Sequence, residues 1–193
     1  MKNYEAIKKS IIDKLDKNLP GNLFYHGLHH TLNVLKSAEF IAKDENISEE
    51  DMYLLKTAVL FHDAGFLKTY RQHEEAGCEM AKAELPKFGF SDKDIDIICG
   101  MIMATKIPQM PKTQLERIIA DADLEYLGTD EFDKIGNTLF EEVKIYLNVE
   151  SRRQWDVIQV NFLKNHHYYT RFCQINREPE KQKHLQAIKN RLS

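Results

Sequence analysis

Along almost the whole chain, apolar residues recur at the spacing of an α-helix, and that period restricts the folds available. Val34, Leu35, Ala38, Ile41 and Ala42 fall on one buried helix face. Met52 to Phe61 is apolar nearly all round, as expected of a central helix. Start signals recur at Ser48-x-x-Asp51, Ser91-x-x-Asp94, Thr113-x-x-Glu116 and Ser151-x-x-Gln154. In each, a Ser or Thr accepts from the first free N–H groups, and the side chain three positions on can return the bond. Gly89, Gly128, Pro108 and Pro111 mark stops. No two alternating segments joined by a hairpin turn are visible. The pattern predicts an all-α, single-domain bundle over residues 1–193. About nine helices are expected, near 3–17, 28–43, 49–63, 73–88, 92–104, 114–127, 130–148, 152–167 and 178–191.

Composition narrows the class further. With 193 residues, 42% hydrophobic and 30% charged, the chain can bury a core without disulfides or a structural metal. No stretch of about 18 apolar residues exists to cross a membrane. Cys78, Cys99 and Cys173 are far apart, with no CxxC pair. They read as small buried apolar residues in a reducing compartment. Met1 to Leu19 lacks the apolar run of a signal peptide. A cytoplasmic protein is expected. Residues 151–193 carry 9 basic and 3 acidic side chains, whereas 1–150 carry 18 and 27. The tail reads as a solvated helical surface attracted to an acidic body, and no basic groove interleaved with aromatics suggests nucleic acid. A homodimer stays open as the assembly.

The polar residues on apolar faces are the more informative ones. Three clusters stand out: Tyr25-His26-x-x-x-His30, His62-Asp63 and Asp121-Ala122-Asp123. His30 sits four residues before Val34, at the edge of that face, with His26 one turn earlier and His29 pointing away. His62 continues the stripe of Leu55, Ala58 and Val59, flanked by Asp63. Asp123 is four residues after Ile119 and borders the face of Leu115, Ile119, Ala122 and Tyr126. Asp121 points nearly opposite and reads as solvated or as a support behind a ligand. Taken together, His30, His62, Asp63 and Asp123 suit a shared divalent cation (Mn, Fe, Co, Ni, Zn or Mg). Spacing alone leaves a satisfied polar core equally open.

These residues resemble the H…HD…D pattern of the HD-domain superfamily of metal-dependent phosphohydrolases. Tyr25-His26-x-x-x-His30-Thr31-x-x-Val34 is similar to its first motif, and Ala58-x-x-Phe61-His62-Asp63-Ala64-Gly65 to its second. Asp121-Ala122-Asp123-Leu124-x-x-Leu127-Gly128 is similar to the last motif of stand-alone bacterial members, and His73-Glu74-Glu75-Ala76-Gly77 and Ala104-Thr105 also fit that group. The motif core covers roughly 24–130, with a helical extension over 131–193. The resemblance implies an all-helical bundle with one or two divalent ions per chain, held by His30, His62, Asp63 and Asp123. It implies hydrolysis of a phosphomonoester or phosphodiester, most plausibly of a nucleotide, by a metal-activated water. Asp63 would bridge a second ion, and His26 stands where the phosphodiesterase branch places its general acid.

Departures from the pattern limit what carries over. Binuclear members have two further histidines; His73 is placed to be the first, while Thr105 or Lys106 stands where the second is expected. His73 and Glu74 are therefore candidates for a second metal or for substrate. Lys68, Arg71 and Lys106 are candidates to hold phosphate oxygens. The Gly-Tyr-Pro extension of cyclic-dinucleotide enzymes is missing. A di-iron oxygenase and a non-enzymatic nucleotide- or partner-binding module are the alternatives. His166 and His167 read as a cationic helix end, and His184 as exposed. Phe88, Phe90, Met101 and Met103 read as core, and Trp155, Ile158 and Phe162 as one packed stripe.

Overall fold

The computed structural model describes residues 3–193; Met1 and Lys2, part of the N-terminal stretch read above, lie outside them. Ten α-helices follow one another: α1 (Tyr4–Asn18), α2 (Leu28–Asp44), α3 (Glu49–Phe61), α4 (His73–Glu84), α5 (Asp92–Ala104), α6 (Gln114–Asp123), α7 (Phe132–Tyr146), α8 (Arg152–Asn165), α9 (Arg171–Asn176) and α10 (Glu178–Leu192). Three 3-10 turns, Ala64–Leu67, Leu85–Phe88 and Glu125–Gly128, link some of them. The described residues form no strand, in line with the all-α expectation.

All four start signals are realised. Ser48, Ser91, Thr113 and Ser151 each accept from the backbone N–H three residues on, and the last three form reciprocal capping boxes. The count of nine helices is corrected to ten by α9. Its six residues are too few to show a period, and Thr170 caps it. The expected helix 73–88 stops at Glu84 because Pro86 cannot donate a helical hydrogen bond, and a 3-10 turn follows. The expected 114–127 stops at Asp123, where Leu124 leaves helical geometry at φ −110°, ψ 16° and its carbonyl accepts from Tyr168 Oη at 3.1 Å.

Helix α3 is central, packed by α1, α2, α4, α5 and α6. Leu55, Ala58, Val59, Leu60 and Phe61 are fully buried. Each large one contributes about 1.5–3 kcal/mol of burial. The same apolar cluster continues to Leu185 and Ile188 of α10. A second, smaller cluster (Val143, Val149 and Trp155, backed by Leu139 and Phe140) joins α7 to α8. The basic tail docks through Arg177 to Glu125 and Arg191 to Asp133, and Lys181 is buried.

Two glycines bring α4 against the end of α3. A Cβ on Gly65 would lie 1.8 Å from the His73 carbonyl oxygen, and one on Gly77 2.6 Å from that of Phe61. Only hydrogen fits at either contact.

Some side-chain expectations are corrected. Met103 is exposed rather than core, because it faces outward from α5. His184 is half-buried, stacked on Phe132 at 4.5 Å, with Nε2 3.1 Å from the Thr129 carbonyl oxygen. His166 is not a cationic cap. It is buried against Lys181, whose Nζ lies 3.2 Å from Nδ1, and burial and that ammonium push its pKa down to about 3.

Candidate metal centre

The centre forms where α3 ends. Phe61 is the last α-helical residue, His62 caps the helix, and Asp63 turns away at φ −105°, ψ 2°. On a continuing helix the two side chains would diverge by about 100°. The break lets both face one point. His62 Nδ1 donates to the Val59 carbonyl at 2.7 Å, which leaves Nε2 aimed at the cluster.

Around that point the separated motifs meet. His30 Nε2 lies 3.4 Å from His62 Nε2 and 3.0 Å from Asp123 Oδ1. One donor atom each from His30, His62 and Asp123 falls within a mutual 4.8 Å. Asp63 Oδ2 is 3.3 Å from His62 Nε2 and 3.4 Å from His30 Nε2, yet it is buried without a hydrogen-bond partner. An acceptor left this way is costly in protein alone. The donors of His30, His62 and Asp123 fit a divalent cation as a set, and Asp63 Oδ2 borders the two imidazoles.

The four side chains are strongly coupled electrostatically. Burial alone would lower the His62 pKa, but Asp63 and Asp123 raise it well above the ordinary value. Burial alone would raise those of Asp63 and Asp123; His62 and His30 bring both down, Asp123 to about 2. These shifts favour ionised carboxylates, as ligands must be, and a cation would take the place of the proton that His62 holds.

Asp63 faces a second group through its other oxygen. Oδ1 is 3.6 Å from His73 Nε2, which is 3.5 Å from Glu74 Oε1. His73 Nδ1 donates to the Tyr70 carbonyl at 3.3 Å, and its ring stacks on Phe66 at 4.0 Å. Asp63 thus stands between the His30–His62–Asp123 cluster and the His73–Glu74 pair. Thr105, at the position of the missing histidine, turns its hydroxyl to the Ile102 carbonyl at 2.8 Å.

His26 precedes α2 rather than lying on its first turn, because the helix begins at Leu28. Its position is set by Glu142, a residue sequence reasoning missed. Glu142 Oε2 accepts from the backbone N–H of Tyr25 at 2.9 Å and of His26 at 3.1 Å, and Oε1 pairs with His26 Nδ1. Tyr70 Oη also donates to Glu142, at 3.2 Å. Burial lowers the His26 pKa, but the Glu142 hydrogen bond and the Asp63 charge outweigh it and the net shift is upward. Glu142 is fully buried, one residue before Val143 on an otherwise apolar stripe of α7, and that was its only sequence signal.

The structure does not bring every candidate to this place. Lys68 and Arg71 are exposed, and Lys106 pairs with Glu75. None of the three lines the cavity beside Asp63 and Asp123. Asp121 is neither solvated nor aimed at the cluster: it is fully buried and accepts from Thr170 N at 2.7 Å and Tyr169 N at 2.9 Å.

A family profile for the HD domain matches residues 27–125, just over half of the chain. The fold is similar to a crystal structure of a predicted HD superfamily hydrolase from an uncultured Thermotogales bacterium. The TM-score is 0.62 at 19% identity, covering 95% of this chain and 88% of that one. No curated protein sequence is significantly similar. The profile spans His30, the His62-Asp63 pair and Asp123, the residues that converge at the end of α3, and the chain belongs to the HD-domain family.

Proposed function

We propose that the protein is a metal-dependent phosphohydrolase acting on a small phosphate ester. The observation that carries this reading is the buried, unpartnered Asp63 Oδ2, facing the Nε2 atoms of His30 and His62 with Asp123 beside them. His30, His62, Asp63 and Asp123 would hold one divalent ion, and Asp63 with His73 and Glu74 offers room for a second. A bound divalent ion supplies Lewis acidity, lowering the pKa of a water and neutralising charge on phosphoryl oxygens.

The chain's own residues supply the rest. Glu142 fixes the His26 ring through Nδ1 and favours its protonated form, which leaves a proton at Nε2. His26 lines the cavity beside Asp63 and Asp123 and stacks on Phe66 at 4.4 Å. From there it can protonate the ester oxygen as the P–O bond breaks. The carboxylate orienting the imidazole acts as in other acid–base pairs.

Metal content per chain, measured on wild type and Asp63→Ala with helicity checked by circular dichroism, tests this directly. One or two ions in wild type and none in a folded variant is expected, with phosphoester turnover in Mn, Co, Ni or Mg lost alongside. Wild-type turnover by Asp63→Ala would sink the assignment. Two irons with oxygen uptake would favour an oxygenase instead, and a metal without turnover of any ester would favour a binding module.

A further inference from the structure

We propose that the substrate's alcohol half is apolar, an alkyl or aryl group rather than a nucleoside; this rests on the hydrolase reading above. Beside the metal centre lies a cavity of about 310 Å³ whose wall includes Asp63, Asp123, His26, His73 and Glu74. From there it runs between α7, α8 and the turn Glu125–Gly128, along Leu127, Phe132, Leu139, Val143, Trp155 and Phe162. Trp155 and Phe162 pack as the expected stripe, whereas Ile158 is exposed, and all three border this space. An engineered apolar cavity of roughly 150 Å³ accepts benzene, so the space has room for the phosphoryl head and an apolar group of about that size.

The chemistry of the wall decides what fits. No lysine or arginine lines it among the described residues. Beyond the metal centre a di- or triphosphate would therefore meet mostly apolar side chains and no lysine or arginine. Two of its polar side chains are already engaged: Tyr70 Oη donates to Glu142 and Thr105 Oγ1 to the Ile102 carbonyl. Along α7 and α8 the polar groups are the Gln159 amide and the buried Trp155 indole N–H. A base and ribose would bury several unpaired donors and acceptors, each weakening binding roughly tenfold. The rim agrees, because Ile107, Leu147 and Ile158 line the cavity yet are 53%, 51% and 43% exposed. Cations do occur in a second cavity of about 640 Å³ that borders the centre from the other side through His30 and Asp123, with Lys36, Lys134 and Arg177, but its wall lacks His26, Asp63 and His73.

In the reaction, the oxygen of water bonds to phosphorus and the P–O bond to the alcohol breaks. His26 gives its proton to the departing oxygen, and the proton lost by water restores it. The products are the apolar alcohol and inorganic phosphate.

Trp155, the single tryptophan, lines the cavity and reports its occupancy by fluorescence. Metal-loaded protein is titrated with ethyl-, hexyl- and decylphosphonate, which cannot be hydrolysed, below their micelle concentrations, and with adenosine 5′-monophosphate. We expect Kd to tighten about fourfold per methylene, equivalent to about 0.8 kcal/mol each, until the tail fills the space. The nucleotide should bind no better than ethylphosphonate. Ile158→Glu, at a position exposed enough to tolerate charge, should weaken decylphosphonate at least tenfold and flatten the series. A series flat in wild type, or a nucleotide that binds more tightly than decylphosphonate, overturns the proposal. The two readings fail separately. Steep chain-length dependence without turnover of decyl phosphate removes the hydrolase and keeps the apolar occupant. Fast nucleotide hydrolysis with a flat series does the reverse.

Discussion

Glu142 on α7 holds His26, 116 residues away in sequence, by two contacts at once: its carboxylate accepts the His26 backbone N–H at 3.1 Å and pairs with the ring Nδ1. The same side chain accepts from Tyr25 N and Tyr70 Oη. Helix α7 is further tied by Tyr146, stacked on Tyr70 at 3.9 Å and donating to Asn22 Oδ1 at 2.7 Å. One carboxylate thus fixes both the proposed acid and the helix that walls the cavity.

Replacing His26 by Ala should slow hydrolysis of esters with poor leaving groups by about 10²–10⁴-fold. With p-nitrophenyl phosphate, whose leaving group needs no proton, the loss should be small. An equal loss on both would remove His26 as the acid.

Glu142→Gln should move the alkaline limb of the rate profile to lower pH, since the hydrogen bond to Glu142 is the main influence that raises the His26 pKa against burial. It should also lower stability by about 1–3 kcal/mol, because buried donors lose a charged acceptor. Rate–pH profiles and urea melts check this, and an unmoved alkaline limb would separate Glu142 from the proton step.

Chelation should lower Tm. An ion present at a hundred times its Kd stabilises the folded chain by about 2.7 kcal/mol, or about 5–10 °C for a chain of this length. Asp63→Ala should melt at the same temperature with and without chelator; a chelator effect that persists in the variant would place the ion elsewhere.

Gly65→Ala should cost about 3 kcal/mol, because the new methyl would lie 1.8 Å from the His73 carbonyl oxygen. The start of α4 at His73 must then move, so thermal denaturation and metal stoichiometry should both change. A variant that melts like wild type would contradict this contact.

His166 should make stability acid-sensitive. Its pKa falls to about 3 on folding, from an ordinary value of 6.5. The unfolded chain therefore binds the extra proton between those values, and stability is lost as pH falls below about 6.5. Between pH 7 and pH 5 the loss from this residue is about 2 kcal/mol. His166→Gln should remove that part of the urea-midpoint difference, and an unchanged difference would show that His166 does not carry it.

Much of the architecture was legible in the chain itself. Helical period and caps are local, so Ser91 with Asp94 or Thr113 with Glu116 announce a helix wherever it packs. His30, His62, Asp63 and Asp123 were legible for a related reason: polar groups on faces otherwise destined for the core need a common partner. Even there, only the end of α3 at Phe61 explains how the adjacent His62 and Asp63 face one point.

Tertiary structure alone decided the rest. Periodicity tells which face is buried but not what lies opposite, so Glu142, at the edge of the α7 stripe, could not be matched to His26. Asp121 looked solvated because the Tyr169 and Thr170 N–H groups it accepts from arrive from a distant segment. Lys68, Arg71 and Lys106 stood near the motifs in sequence, yet the fold leaves the first two exposed and pairs the third with Glu75. Ile158 read as packed with Trp155 and Phe162 because an apolar face lining a cavity and one filling a core have the same pattern. The empty space between α7 and α8 exists only once both helices are placed.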